Sequence, residues 1–266
     1  MEFSVGRYPL RIRSAQQRIL VAELWRNLDG SYGKMERRLA AKICGCLEKD
    51  VKITSWLSIA IRIAVLFGVF SEVMRDHAVS VDARVDVSVP AGDFRLPMAV
   101  WYSREMGLPV GNIVCACDQN SGLWDLLHFG ELRTSGSNAS IVELERLICG
   151  NLGVSEAVRY QDVCSKGGVY TLLPVMTEKL SKNIFSASVS QERLHNVISN
   201  VYRTNSCILE PGAAMSYGGL MDYRAKTGES RVALLLADES PADHAGMICS
   251  AMNISEEALK DMVLNA

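Results

Sequence analysis

The chain has 266 residues, enough for one large domain or one and a fraction, and its 48% hydrophobic and 22% charged content is that of an ordinary globular protein. A formal charge of −2 and an isoelectric point near 6.1 supply no basic surface for nucleic acid or an anionic membrane. The start, MEFSVGRYPLRIR, has no apolar signal core, so the eight cysteines read as reduced, mostly buried thiols of a cytoplasmic protein.

Residues 1–13 are basic and polar and read as a loosely held lead-in. Residues 18–25 (RILVAELW) read as a strand and 27–30 as a turn; 32–46 is a helix with apolar or alanine positions at 35, 39, 40, 43 and 46. A more apolar helix covers 55–74, and its longest apolar run, 59–70, is interrupted by Arg62 and too short to span a bilayer. Leu57, Ile61, Val65 and Val69 form a stripe of that helix suited to self-association.

The next stretch carries most of the information. Residues 85–89 (VDVSV) are a buried strand, 90–92 (PAG) a turn, and a helix then leads to a second apolar strand at 113–117: one βαβ unit of a parallel sheet. A turn between a strand end and a helix start is where free backbone N–H groups hold a phosphate. Here it offers one glycine, Gly92, beside Asp93 and Arg95. Asp93 repels an anion, or simply caps the helix, and the Arg95 side chain obstructs close approach.

Beyond it come a short helix at 122–129, a Ser/Gly/Asn loop at 134–140, and helices at 141–149, 155–162, 174–182 and 190–202, the last with Ser190 as N-cap. A helix at 213–227, a buried strand at 231–237 (RVALLLA) and a final helix at 255–264 capped by Ser255 complete the map. Strands alternating with helices make this an α/β protein with a mainly parallel sheet flanked by helices.

Other chemistry-bearing residues point to nothing specific. Cys44/Cys46 and Cys115/Cys117 are spaced too closely for the usual paired zinc ligands, and His77, His128, His195 and His244 form no H-x-x-x-H pair, so no metal site is expected. Lys166-Gly167-Gly168 lacks the flanks of a phosphate loop, and no G-x-S-x-G is present. Ser58, in an apolar helix, is expected to satisfy a backbone carbonyl. Asp238, Glu239, Asp243 and His244 follow a strand end, where open sheets place ligands, and read either as solvated loop acids or as an acid–base cluster.

The 85–117 stretch resembles the threonine synthase branch of the fold-type-II pyridoxal-phosphate enzymes, in which a V-P-x-G-N-F-G-N loop binds the cofactor phosphate ahead of an A-x-x-M-G-L-P helix. Ala99, Tyr102, Met106, Gly107, Leu108 and Pro109 match the helix; Gly92 and Phe94 match the loop, where Asp93, Arg95 and Leu96 replace asparagine, glycine and asparagine. The resemblance continues through Gly30-Ser31-Tyr32, Ser58-Ile59, Ala116 with Asp118-Gln119-Asn120, Leu144-Glu145-Arg146, Phe185-Ser186, and Glu210-Pro211 with Ala214 and Tyr217. Asp238 stands where many members place the threonine that meets the pyridine nitrogen.

That resemblance implies the later part of the tryptophan synthase β-like architecture, with residues 1–52 a remnant of the small domain and 53–266 the large domain. It implies vestigial cofactor-pocket positions at Gly92, Asp93, Phe94, Arg95 and Asp238, with no catalytic residue assigned. The match begins inside the family pattern, beyond the part that carries the Schiff-base lysine. The expectation is therefore a truncated, divergent pseudoenzyme that runs no pyridoxal phosphate chemistry alone and binds a small anionic metabolite or a partner chain, itself included. The alternative is an active enzyme of amino-acid metabolism, either repurposed without the cofactor or a lyase completed by a second polypeptide.

Overall fold

A computed structural model of the chain describes residues 12–15, 18–27, 37–38, 41, 55–76, 79–80, 82–92, 94–118, 122–134, 140–182 and 184–265. Strands β1 (Ile12–Ala15), β2 (Ile19–Glu23), β3 (Val85–Pro90), β4 (Val110–Cys117), β7 (Ile184–Ser188) and β8 (Ala233–Ala237) form one sheet in the order β1-β2-β8-β3-β4-β7. All neighbours are parallel except β1 with β2. A separate antiparallel pair joins β5 (Glu131–Thr134) to β6 (Gly168–Thr171).

The helices are α1 (Ser55–Asp76), α2 (Arg95–Glu105), α3 (Gly122–Phe129), α4 (Ser140–Leu152), α5 (Val154–Lys166), α6 (Pro174–Ser181), α7 (Gln191–Asn205), α8 (Pro211–Thr227), α9 (Ala245–Met252) and α10 (Glu256–Asn265). A single helical turn, Leu24–Asn27, follows β2. Alternate residues of the central strands face two separate cores. Leu234 and Leu236 join the core under α1 to α5, whereas Ala233, Leu235 and Ala237 join the one under α7 to α10. Burial on both faces is why these strands read as unbroken apolar runs.

Several elements match the sequence reading closely. Ser190 accepts the Arg193 N–H at 3.2 Å and Ser255 the Ala258 N–H at 3.2 Å, as N-caps do. In the Met-Gly-Leu-Pro segment Gly107 takes φ 100°, a left-handed backbone that suits glycine, and the Pro109 carbonyl accepts the Val85 N–H at 2.9 Å. Lys166-Gly167-Gly168 is a helix end and a strand start rather than a loop for phosphate.

Other expectations change. Residues 12–15 are not a loose lead-in: they pair with β2, and Arg13 meets Glu23 at 2.9 Å. Strand β2, from the part expected to be a small-domain remnant, pairs with β8 from Ile19–Ala233 to Glu23–Ala237. The helix expected over 32–46 lies almost entirely outside the described residues. In α1, Ile61 and Val69 are buried and Leu57 and Val65 half-buried, so the exposed stripe is a different one: Trp56, Ala60, Ala64, Phe67, Gly68 and Ser71. The window Trp56–Arg75, mean hydropathy 1.9, is long and apolar enough to cross a membrane, yet its other face, with Ile59, Leu66, Phe70 and Val73, is core.

Helix α8 lies unusually close to the sheet. A Cβ at Gly219 would stand 2.9 Å from the Ala116 Cβ and 3.4 Å from that of Ala187. Ser88 in β3 donates to the Ser216 carbonyl at 2.7 Å across the same contact. Gly219→Val should therefore push α8 off β4 and β7 and lower unfolding stability by about 1–3 kcal/mol in urea titration. Unchanged stability would mean that this contact gives way freely.

Candidate functional site

At the C-terminal ends of β3 and β8 lies a cavity of about 220 Å³ lined by Arg62, Pro90, Gly92, Leu96, Glu210, Gly212, Asp238 and Glu239. This end of a parallel sheet is where ligands sit, because the strands diverge there and helix N-termini point inward. Two such helix starts border the cavity: Leu96 is in the first turn of α2 and Gly212 in the first turn of α8.

The start of α8 is strongly capped. Glu210, in extended conformation with Pro211 at the first helical position, accepts N–H bonds from Gly212 at 2.5 Å and Ala213 at 2.7 Å. Its carboxyl is almost fully buried. Burial and the neighbouring charge of Asp238 raise its pKa to about 8, against the lowering effect of the two N–H donors.

Among the described residues no side chain caps the start of α2. Its N-cap position is Phe94, held left-handed at φ 56° with the ring in the core. Pro97, in the first turn, has no N–H to offer. Asp93 lies outside the described residues. Arg95 turns toward α1 and donates to the Ser58 hydroxyl at 3.4 Å. Arg62, buried in the middle of α1, donates to the Ser58 carbonyl at 3.1 Å and also to its hydroxyl. Ser58 thus receives two guanidinium groups instead of merely answering its own helix.

On the opposite wall, Ser240 caps the turn Pro241–His244 by accepting from the Ala242 N–H at 3.3 Å. His244 Nε2 comes to 2.5 Å of Glu239 Oε2. Ligand atoms of Glu210, Glu239 and His244 lie within 4.8 Å of one another, a donor set able to hold a divalent cation. Each donor is already engaged, Glu210 by backbone N–H groups and the other two by each other.

Of the five positions singled out in the sequence, Gly92 and Asp238 line the cavity together; Phe94 and Arg95 flank it without lining it. A Cβ at Gly92 would meet nothing within 4 Å, and Gly92 has no positive φ, so neither packing nor backbone conformation demands glycine there. Arg62 and Glu210 are the residues that sequence reasoning undervalued. The signals were a lone arginine four residues after a serine in an apolar helix, and a glutamate directly before a Pro-Gly helix start. Cys115 and Cys117 are core thiols of β4, with burial pushing the Cys115 thiol pKa up; Cys44 and Cys46 fall outside the described residues.

With this geometry in place, relatives can be compared. No protein-family profile matches the chain. Threonine synthase-like 1 of Macaca fascicularis is 27% identical over 152 residues, 52% of this chain and 20% of that protein, and the Homo sapiens counterpart is 26% identical with the same coverage. The chain thus spans about a fifth of the length of the curated relatives it matches. The solved pyridoxal-phosphate-bound threonine synthase from Brucella melitensis superposes with a TM-score of 0.64 at 19% identity, over 84% of this chain and 50% of that one. This is the threonine synthase fold. The yeast threonine synthase agrees, with a TM-score of 0.64 at 20% identity over 80% of this chain and 48% of its own.

A threonine synthase fold raises the question of whether the cavity suits the cofactor bound in the Brucella enzyme. Its residues do not fit. Among the described residues no lysine lines it, and the carboxylates of Asp238 and Glu239, with the protonated carboxyl of Glu210, face one guanidinium. The α2 end offers a single glycine and a first turn that lacks one N–H at Pro97. A phosphate dianion would meet repulsion from Asp238 and Glu239 with little compensation.

The buried Glu210 makes stability depend on pH. Its folded pKa, about 8, stands above the ordinary 4.5, so between these values the folded chain holds a proton that the unfolded chain has released. This stabilisation is complete below about pH 4.5 and is lost as pH rises to about 8. Urea unfolding should show stability falling from pH 5 to pH 8, and Glu210→Gln should flatten that slope while losing about 1 kcal/mol of capping. Equal slopes in parent and variant would place the proton elsewhere.

Proposed function

We propose that this chain is a threonine synthase-like binding protein that performs no pyridoxal phosphate chemistry by itself. The observation that carries the reading is the lining of the 220 Å³ cavity, where Arg62 faces Glu210, Asp238 and Glu239 and no described lysine is present. Such a lining suits a small ligand with charges of both signs. Arg62 is a partner for a carboxylate, and Asp238 and Glu239 for an ammonium group. The small anionic metabolite expected of this pocket therefore has to carry a cationic group as well, as a free amino acid does.

Titration with pyridoxal phosphate tests the first half of the proposal. No visible absorbance band should form, and borohydride treatment should fix no label to any lysine. A stable band with label on one lysine would defeat it.

A second reading, a partner chain, is favoured by the stripe Trp56, Ala60, Ala64, Phe67, Gly68 and Ser71 of α1, which is exposed yet uncharged over about four turns. Light scattering at micromolar concentration should then give a mass above that of the monomer, reduced to the monomer by Ala64→Lys. A monomeric parent that captures no partner would remove this reading.

A further inference from the structure

Three adjacent parallel strands of the sheet, β2, β8 and β3, each begin just after an arginine. Arg18 precedes Ile19, Arg84 precedes Val85, and Arg231 with Val232 precedes Ala233. Because Ile19 and Asp86 both pair with Ala233, the three strands start level with one another, and the arginines collect at one edge. That edge is the N-terminal one, at the other end of the strands from the cavity described above.

The arginines line a second cavity of about 450 Å³, together with the hydroxyl residues Ser14 and Ser80 and an apolar floor that includes Leu20, Val79 and Val232. Among the described residues no acid lines it. Arg231 is anchored from behind: its guanidinium meets Glu229 at 3.0 Å and its Nε lies 3.6 Å from Asp86 Oδ1. The side chains of Arg18 and Arg84 make no hydrogen bond or ion pair with the described residues. Arg18 is also held left-handed at φ 61°, a costly conformation for a side-chain-bearing residue, while its carbonyl accepts the Ala233 N–H at 3.0 Å.

We propose that this cavity is an anion site for a phosphorylated small molecule carrying at least two negative charges. Guanidinium groups match phosphate oxygens with paired N–H donors, and three of them approaching from three strands can engage different oxygens of one group. Ser80 adds a hydroxyl donor, and the volume falls in the range that holds a metabolite rather than a lone ion. Arg18 and Arg84 bring like charge to one cavity, which a bound dianion neutralises. The site is independent of the cavity at the other end of the strands.

Calorimetry of the whole chain with pyrophosphate, and with inorganic phosphate, at low ionic strength tests the assignment. Pyrophosphate should bind one to one and weaken with added salt. The Arg18→Gly/Arg84→Ala variant should lose at least tenfold in affinity, whereas Lys260→Ala should bind as the parent does. Glycine suits the left-handed backbone at position 18, so this variant should keep its thermal stability, separating ligand binding from folding. Absence of one-to-one binding by the parent, or equal affinity in the double variant, overturns the proposal.

Discussion

Strand β8 lies between β2 and β3 and hydrogen-bonds to both in parallel, although some 140 residues of chain separate it from β3. Both ends of the molecule depend on that insertion. At its C-terminal end β8 delivers Asp238 and Glu239 beside the loop that follows β3. At its N-terminal end it delivers Arg231 between Arg18 and Arg84. The insertion is possible because residues 233–237, ALLLA, offer apolar side chains to both faces with no polar interruption. A charge within this strand would have to be buried in one core or the other.

The small residues of the strands and of α8 follow from the same constraint. Ala116, Ala187, Gly218 and Gly219 let α8 approach the sheet, and that approach aims the start of α8 at the cavity. Glu210 then answers the free N–H groups of the helix from within a buried place. Asp238 and Glu239 stand at the same end of the sheet, on the loop that follows β8.

How far the sequence disclosed this can be judged from particular residues. The βαβ unit, the buried strand at 233–237 and the caps Ser190 and Ser255 were legible because each rests on local rules: apolar periodicity, turn residues, a hydroxyl ahead of a helix. Strands β5 and β6 were not, since four residues such as Glu-Leu-Arg-Thr are too short to display alternation. Strand β7, Ile-Phe-Ser-Ala-Ser, hides behind its serines, and α9, Ala-Gly-Met-Ile-Cys-Ser-Ala-Met, has no polar face to set a period. Gly92 and Asp238 could be paired only through a family pattern, because the cavity they share is made by strand order. Arg62 was visible only as a flaw in an apolar run. Its meaning comes from the α1–α2 packing that brings Arg95 to the same serine, which no spacing rule encodes.

The two edges of the sheet also have opposite polarity, and the opposition runs against habit. Parallel sheets favour anions at their C-terminal edge, where helix N-termini contribute partial positive charge. In this chain that edge holds Glu210, Asp238 and Glu239, while the N-terminal edge holds Arg18, Arg84 and Arg231. The helix starts still point to this edge, and the free N–H groups at the start of α8 are taken up by Glu210. The basic edge has no helix field to assist it and relies on side chains alone. The guanidinium-lined cavity and the acid-lined one therefore lie at opposite ends of the same strands. The polarity of each edge is set in part by what β8 carries at that end, Arg231 at one and Asp238 with Glu239 at the other.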